Sequence, residues 1–341
     1  MTFVIVGPIS DRWGRQLIMR GSLVTTGVLA VAVALAPNWP LLLLARGLEG
    51  VALAGLPAVA LAYLREEIDV DCHLRANSTY IMGTAVGGAA GRVLPSLFDQ
   101  YLGWHGAAAA IGLLALAASM IMWFLLPRSL HFVPRTVQLR SLIDNTRRTL
   151  ADPTLLALCL TAIAAMGTFV AVYNSIGFRL EKAPFTLTGG TSLVYLSYLA
   201  AIAGPAVARR LAGRYGRGPA GLGGAILMLT GVILTMSTRL PEIMIGLGLL
   251  AFAILCTHSL TTGWTADRAR RRQVGMAQAS AGYMVANYLG SSVLGLLANR
   301  QWESHGWTGV VAVTVITASV GLIAIGAALI TDRQHAVRNR R

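Results

Sequence analysis

The chain has 341 residues, 55% hydrophobic and 12% charged, against roughly 25% charged in an average soluble domain. With a mean hydropathy of +0.64 and 37 glycines, it is excluded from the ordinary soluble enzymes and suits helices packed in lipid. The net charge of +14 raises nucleic acid as a partner, a reading that depends on where the charges lie.

Ten apolar runs are long enough to cross a bilayer, which takes about 20 residues each. In chain order they are 17–36, 41–63, 77–98, 105–126, 154–176, 190–208, 219–238, 242–264, 276–298 and 307–330. Pro, Gly, Asn, Trp or charge clusters punctuate the gaps, as in Pro37-Asn38-Trp39-Pro40. The runs are continuous rather than alternating, so strands are not indicated. Residues 1–10 are apolar too, yet ten helical residues reach only about 15 Å. No cationic region or cleavage site marks a signal peptide. The sequence therefore predicts that Met1 lies inside a span whose first half, and anything before it, is absent.

Alternate gaps hold 22 of the 28 basic residues, from Arg12, Arg15 and Arg20 at one end to Arg333, Arg338, Arg340 and Arg341 at the other. Positive charge stays on the cytoplasmic side, which predicts a multi-pass protein of the cytoplasmic (inner) membrane with its C-terminus inside. Because a span separates each basic cluster from the next, no nucleic acid is expected. The bilayer is the expected surrounding partner. The single lysine, Lys182, excludes a G-x-x-x-x-G-K phosphate loop. Cys72, Cys159 and Cys256 lack metal or disulfide spacing, and no H-E-x-x-H occurs. No catalytic residue, cofactor or metal is expected. Short loops and scattered acids disfavour a membrane enzyme or sensor.

The halves repeat. Tyr80, Gly87, Gly103 and Trp104 recur 203 residues later as Tyr283, Gly290, Gly306 and Trp307. Arg12-x-Gly14-Arg15 recurs 202 residues later as Arg214-x-Gly216-Arg217. An even number of spans per offset gives two copies of one orientation.

Gly7-Pro8-Ile9-Ser10-Asp11-Arg12-Trp13-Gly14-Arg15-Gln16 resembles the G-x-x-x-D-R-x-G-R-R/K loop of the major facilitator superfamily, Gln16 alone departing. The resemblance implies an all-α integral membrane protein of two pseudo-symmetric six-helix bundles, the first incomplete. About ten full spans and a partial one divide into a bundle at 1–126, a central cytoplasmic loop at 127–153 and a second bundle at 154–341. It also implies that Gly7, Asp11, Arg12, Gly14 and Arg15 form a cytoplasmic latch. Here Arg15 can pair with Glu66 or Glu67, and Asp11 with Arg12 or a helix N-terminus. The second copy has Arg209 and Gly213 where the first has its leading glycine and aspartate, so a weaker latch is expected there.

Of 14 acidic residues only Glu49 falls well inside a span, at a cost of about 2.5–3.5 kcal/mol for a central charge. Arg46, three residues earlier, is placed to pair with it. Arg46-Gly47-Leu48-Glu49-Gly50 resembles the span-4 R-x-x-Q-G element of proton-coupled efflux members, with Glu49 replacing Gln. Gly83 to Arg92 resembles the span-5 antiporter element, with Gly88 at its proline and Arg92 at its last glycine. Its glycines suggest close helix packing. Arg92 could meet an anionic substrate, Glu49 or a carbonyl. Tyr173, Asn174, His258, Tyr283 and Asn287 are further candidates to line a cavity. The resemblance thus implies a monomeric secondary transporter of a small molecule, with protons as coupling ion and efflux as its direction. An organic-anion transporter using Arg92, or a truncated inactive copy, is the alternative.

Overall fold

The computed structural model describes residues 6, 9–10, 12–69, 72–130, 132, 139–187 and 194–338, and the regular structure among them is entirely helical. Contacts divide the chain into two compact units, Met1–Gln138 and Leu139–Arg341.

The first unit contains α1 (Arg15–Ala34), α2 (Trp39–Leu53), α3 (Gly55–Glu67) and α4 (His73–Leu125). Asn38 caps α2 by accepting from the Leu41 N–H, with Pro40 in the first turn where its missing donor costs nothing. The run expected at 41–63 is two helices. Pro57 has no N–H to offer the Leu53 carbonyl, so the ladder stops there. Gly27 and Gly112 bring α1 and α4 together, and a Cβ on either would lie 2.8 Å from the main chain of the other helix. Ser119 Oγ crosses the same interface to the Leu23 carbonyl at 2.9 Å. Met19, Val59, Ala60, Tyr63 and Leu126 form a core cluster.

The second unit contains α5 (Leu139–Ala151), α6 (Pro153–Glu181), a 3-10 helix (Tyr195–Ala203), α7 (Gly204–Tyr215), α8 (Arg217–Leu234), α9 (Leu240–Arg271) and α10 (Met276–Arg338). Helix α5 occupies a stretch expected to be loop. The run expected at 190–208 is not one α-helix: the nine-residue 3-10 segment passes into α7 at Gly204. Pro205, lacking an N–H, withholds the bond an α-helix would make to Ala201. Gly231 of α8 and Gly246 of α9 face each other, and a Cβ added to either would lie 2.7 Å from the other's carbonyl oxygen. Gly290 seats α10 on α6, where a Cβ would come within 2.2 Å of the Ile163 carbonyl.

Among the described residues seven helical stretches are long and apolar enough to cross a membrane. Two of them, Met82–Leu125 and Gln278–Asp332, have 44 and 55 residues, about 66 and 83 Å at 1.5 Å per residue. Each is broken by a glycine outside helical geometry, Gly103 (φ 63°) and Gly306 (φ 60°). Gly14 (φ 101°) and Gly216 (φ 87°) likewise precede α1 and α8. These are left-handed positions that glycine alone occupies without strain, and they recur at the sequence offset. The repeat is unequal in packing, however. Among the described residues of the first unit nothing lies within 4 Å of a Cβ added at Gly83, Gly87 or Gly91, so the close packing expected of that ladder is not found inside that unit. Gly290, the counterpart of Gly87, is wedged against α6 within its own unit.

Candidate functional site

At the α1–α3 end of the first unit, Arg15 follows Gly14 and forks onto Glu66. Its Nε donates to Oε2 at 3.1 Å and its Nη2 to Oε1 at 2.9 Å, while Nη1 reaches Ser10 Oγ at 2.6 Å. Of the two partners expected for Arg15, Glu66 is the one it forks onto. Glu67 accepts from the Leu130 N–H at 2.9 Å and from the Ser129 hydroxyl. Gln16, the departure from the motif, has work of its own: its amide donates to the carbonyls of Leu126 at 3.0 Å and Pro127 at 2.7 Å. Arg20 and Tyr63 add donors to the same two carbonyls. The segment after α4 is thereby strapped to α1 and α3. Arg12 is exposed, and Gly7 and Asp11 lie outside the described residues.

Within the helices, Arg46 Nη1 donates to Glu49 Oε2 at 2.9 Å, one turn along α2. The Arg46 side chain is 55% exposed and that of Glu49 16%, so the carboxylate is the more enclosed partner. Gly47 and Gly50 on the same helix face open space. Arg92 is half-buried and donates to the Gly88 carbonyl at 3.2 Å.

The corresponding end of the second unit carries an ionic cluster that the sequence did not announce. Arg217, the counterpart of Arg15, pairs with Asp267 and donates to the Gly263 carbonyl at 2.9 Å. Arg270 also reaches Asp267, at 2.9 Å. Arg268, 4% exposed, places Nε and Nη2 on Asp152 and Nη1 on Asp332 at 3.1 Å. Arg272 adds a bond to Asp152, and Arg271 and Trp264 add theirs to Asp332. Asp152 meanwhile caps α6 through the N–H groups of Thr154 and Leu155. Burial alone would raise its pKa. The bonds from Arg268, Arg272 and Leu155 outweigh that and hold it below the ordinary value. The carboxylates of this cluster come from α9, α10 and the α6 cap rather than from the loop before α8. The available signals were an aspartate before Pro153, and Asp267 followed by an arginine run.

The polar residues expected to line a cavity separate into two groups. Tyr283 OH meets Thr261 Oγ1 at 2.6 Å and His258 Nδ1 at 3.3 Å, so the structure joins two of the five. Asn287, one turn beyond Tyr283 on α10, is buried. Tyr173 is buried elsewhere, bonding the Leu247 carbonyl and Ser197 at 3.0 Å each and so fastening α6 to α9 and the 3-10 helix. Asn174 is exposed. At the far end of α6, Arg179 donates to the carbonyls of Met236 and Ser237, and the Lys182 ammonium lies 5.0 Å from the centre of the Trp302 ring.

Among the described residues no group of three or more His, Cys, Asp or Glu side chains is arranged to hold a metal.

The sequence profile of the Major Facilitator Superfamily matches residues 1–196. The chain is 33% identical to the uncharacterized MFS-type transporter YybF of Bacillus subtilis (strain 168), over 94% of its own length and 79% of the relative's. It is also 33% identical to the inner membrane transport protein YnfM of Escherichia coli (strain K12), over 97% and 78%. Similarity to the chloramphenicol resistance protein CraA of Acinetobacter baumannii is 24% over 73% of this chain and 62% of that one.

Proposed function

Because the chain belongs to the major facilitator superfamily, and is a multi-pass membrane transport protein rather than an enzyme, we propose that it is a secondary transporter coupling a small molecule to protons in the efflux direction. In this reading the seven apolar stretches carry nine crossings, since the two longest each have length for two, and the 3-10 segment with α7, Tyr195–Tyr215, supplies the tenth. Bundles at 1–126 and 154–341, joined through 127–153, alternate access in a monomer whose C-terminus is cytoplasmic.

The observation that carries the reading is the Arg46–Glu49 pair. Glu49 is a carboxylate paired to an arginine within an apolar helix. A proton that neutralises it releases Arg46, so the proton and the ion pair compete for one site. Release of Arg46 on protonation gives the bundle two electrostatic states to alternate between. The Arg15–Glu66 fork and the straps on Leu126 and Pro127 act as the cytoplasmic latch, with Gly7, Asp11, Arg12 and Gly14 as its other members. His258 and Tyr283 are the polar pair offered to a substrate by the second bundle. The efflux direction draws support from the likeness to a chloramphenicol resistance protein.

Everted vesicles acidified by respiration test this directly. Chloramphenicol and other amphipathic drugs are added as candidate substrates while a ΔpH-sensitive dye is followed. A transported drug should collapse part of the proton gradient with the wild-type chain, and Glu49→Gln should abolish that response. An undiminished response from Glu49→Gln rules the pair out as the coupling site. The second reading, an organic-anion carrier, rests on Arg92, half-buried beside glycines that face open space. A carboxylate whose flux disappears with Arg92→Gln but persists with Glu49→Gln would favour it.

A further inference from the structure

The ionic cluster of the second unit borders an open cavity of about 610 Å³ between the start of α8 and the ends of α9 and α10. Three guanidiniums, from Arg217, Arg270 and Arg271, line it with the carboxylates of Asp267 and Asp332. Its apolar side is Trp264, Pro219 and Leu329. We propose that this cavity binds a phosphate-bearing anion, a site additional to any transport pathway and independent of whether transport is coupled to protons.

Three features point to that ligand. The first is charge. The whole cluster sets five guanidiniums (Arg217, Arg268, Arg270, Arg271, Arg272) against three carboxylates (Asp152, Asp267, Asp332), so positive charge remains after every internal pairing. The second is donor capacity. A guanidinium has five N–H donors. Arg270 and Arg271 each commit only Nη2 to an aspartate, whereas Arg268 commits Nε, Nη1 and Nη2. Arg268 is therefore a structural ion, and Arg270 and Arg271 keep donors for a ligand. Both are more than half exposed at the rim, so an anion reaches them without unfolding the cluster. The third is shape. A volume near 600 Å³ is typical of small-molecule sites and exceeds what one phosphate fills, leaving room for a glycerol-sized group against Trp264 and Leu329. Gly216 leaves the first turn of α8 without a side-chain cap beside the same space, adding partial positive charge.

Arginine forks match phosphate oxygens bidentately. The same phosphate chemistry is available from the headgroup of an anionic phospholipid or from a free phosphate in solution. The purified full chain in detergent micelles distinguishes the two. In one arm its melting temperature is followed against inorganic phosphate. In the other, phosphatidylglycerol or phosphatidylcholine is added and retained lipid is counted by native mass spectrometry. Stabilisation by inorganic phosphate assigns a free phosphate, and selective retention of phosphatidylglycerol assigns a lipid. In either arm the double variant Arg270→Gln/Arg271→Gln should lose at least about tenfold in apparent affinity, a change of about 1.4 kcal/mol. Leu329→Trp keeps every charge but fills the cavity, and should lose binding equally. Arg239→Gln, at the other end of α9, should change nothing. Absence of response in both arms overturns the proposal, as does binding that survives Leu329→Trp, which would reduce the effect to surface charge.

Discussion

Among the described residues the most enclosed ion pair is Arg268 with Asp152, each side chain 4% exposed. Breaking a buried pair typically costs about 3–5 kcal/mol, here towards the lower end because Asp152 keeps its bonds from Arg272 and the cap N–H groups. Arg268→Met should therefore lower the melting temperature sharply, and Arg268→Met/Asp152→Leu should recover part of the loss. Equal melts for the single and double variants would contradict this account. The pair also has a pH signature. Asp152 is held below its ordinary pKa, so its stabilisation is complete above the ordinary carboxylate range and is lost as pH falls through the depressed value. As pH falls below the ordinary aspartate value of 3.8, the wild-type melting temperature should fall more steeply than that of Asp152→Asn. None of this was legible beforehand. The motif placed Arg15 opposite Glu66 or Glu67 because the two loops are neighbours along the chain. Asp152 and Arg268 are separated by 116 residues, and only the fold brings them together. The Arg46–Glu49 pair was legible because helical spacing alone dictates it.

At the scale of elements, glycine decides which helices approach closely. A Cβ on Gly231 would lie 2.7 Å from the Gly246 carbonyl. That carbonyl belongs to the main chain of α9 and can retreat only if the two helices separate. Gly231→Ala should cost about 1–3 kcal/mol, the usual range for overpacking. Gly87 has nothing within 4 Å, so Gly87→Ala should change stability by less than about 0.5 kcal/mol. Thermal melts of the two variants check the contrast, and similar losses would mean that Gly87 has a partner. Apolar run length located most of the helices in advance. It failed where proline interrupts the ladder, at Pro57 and Pro205, since hydropathy does not register a missing N–H. It failed again at Leu139–Ala151, whose polar composition conceals a 13-residue helix.

For the whole molecule, the basic residues predict sidedness. A green fluorescent protein fused to the C-terminus should fold and fluoresce in the cytoplasm, while an alkaline phosphatase fusion at the same point should be inactive. The reverse pattern would invert the proposed topology. The division into two contact units falls at 138/139, inside the segment read from sequence as a linker. That segment was recognisable as a break in the apolar pattern, whereas its helix α5 belongs with the second unit. One consequence concerns chemical labelling. Lys182 is the only lysine in the chain, it is exposed, and its ammonium rests 5.0 Å from the Trp302 ring. Apart from the α-amino group, an amine-selective reagent therefore finds a single address. Acylation there removes the positive charge and with it the attraction to the indole, so the modification itself registers in tryptophan emission. The chain carries its own optical reporter at the end of α6, opposite the arginine cluster, and no residue has to be engineered to read it.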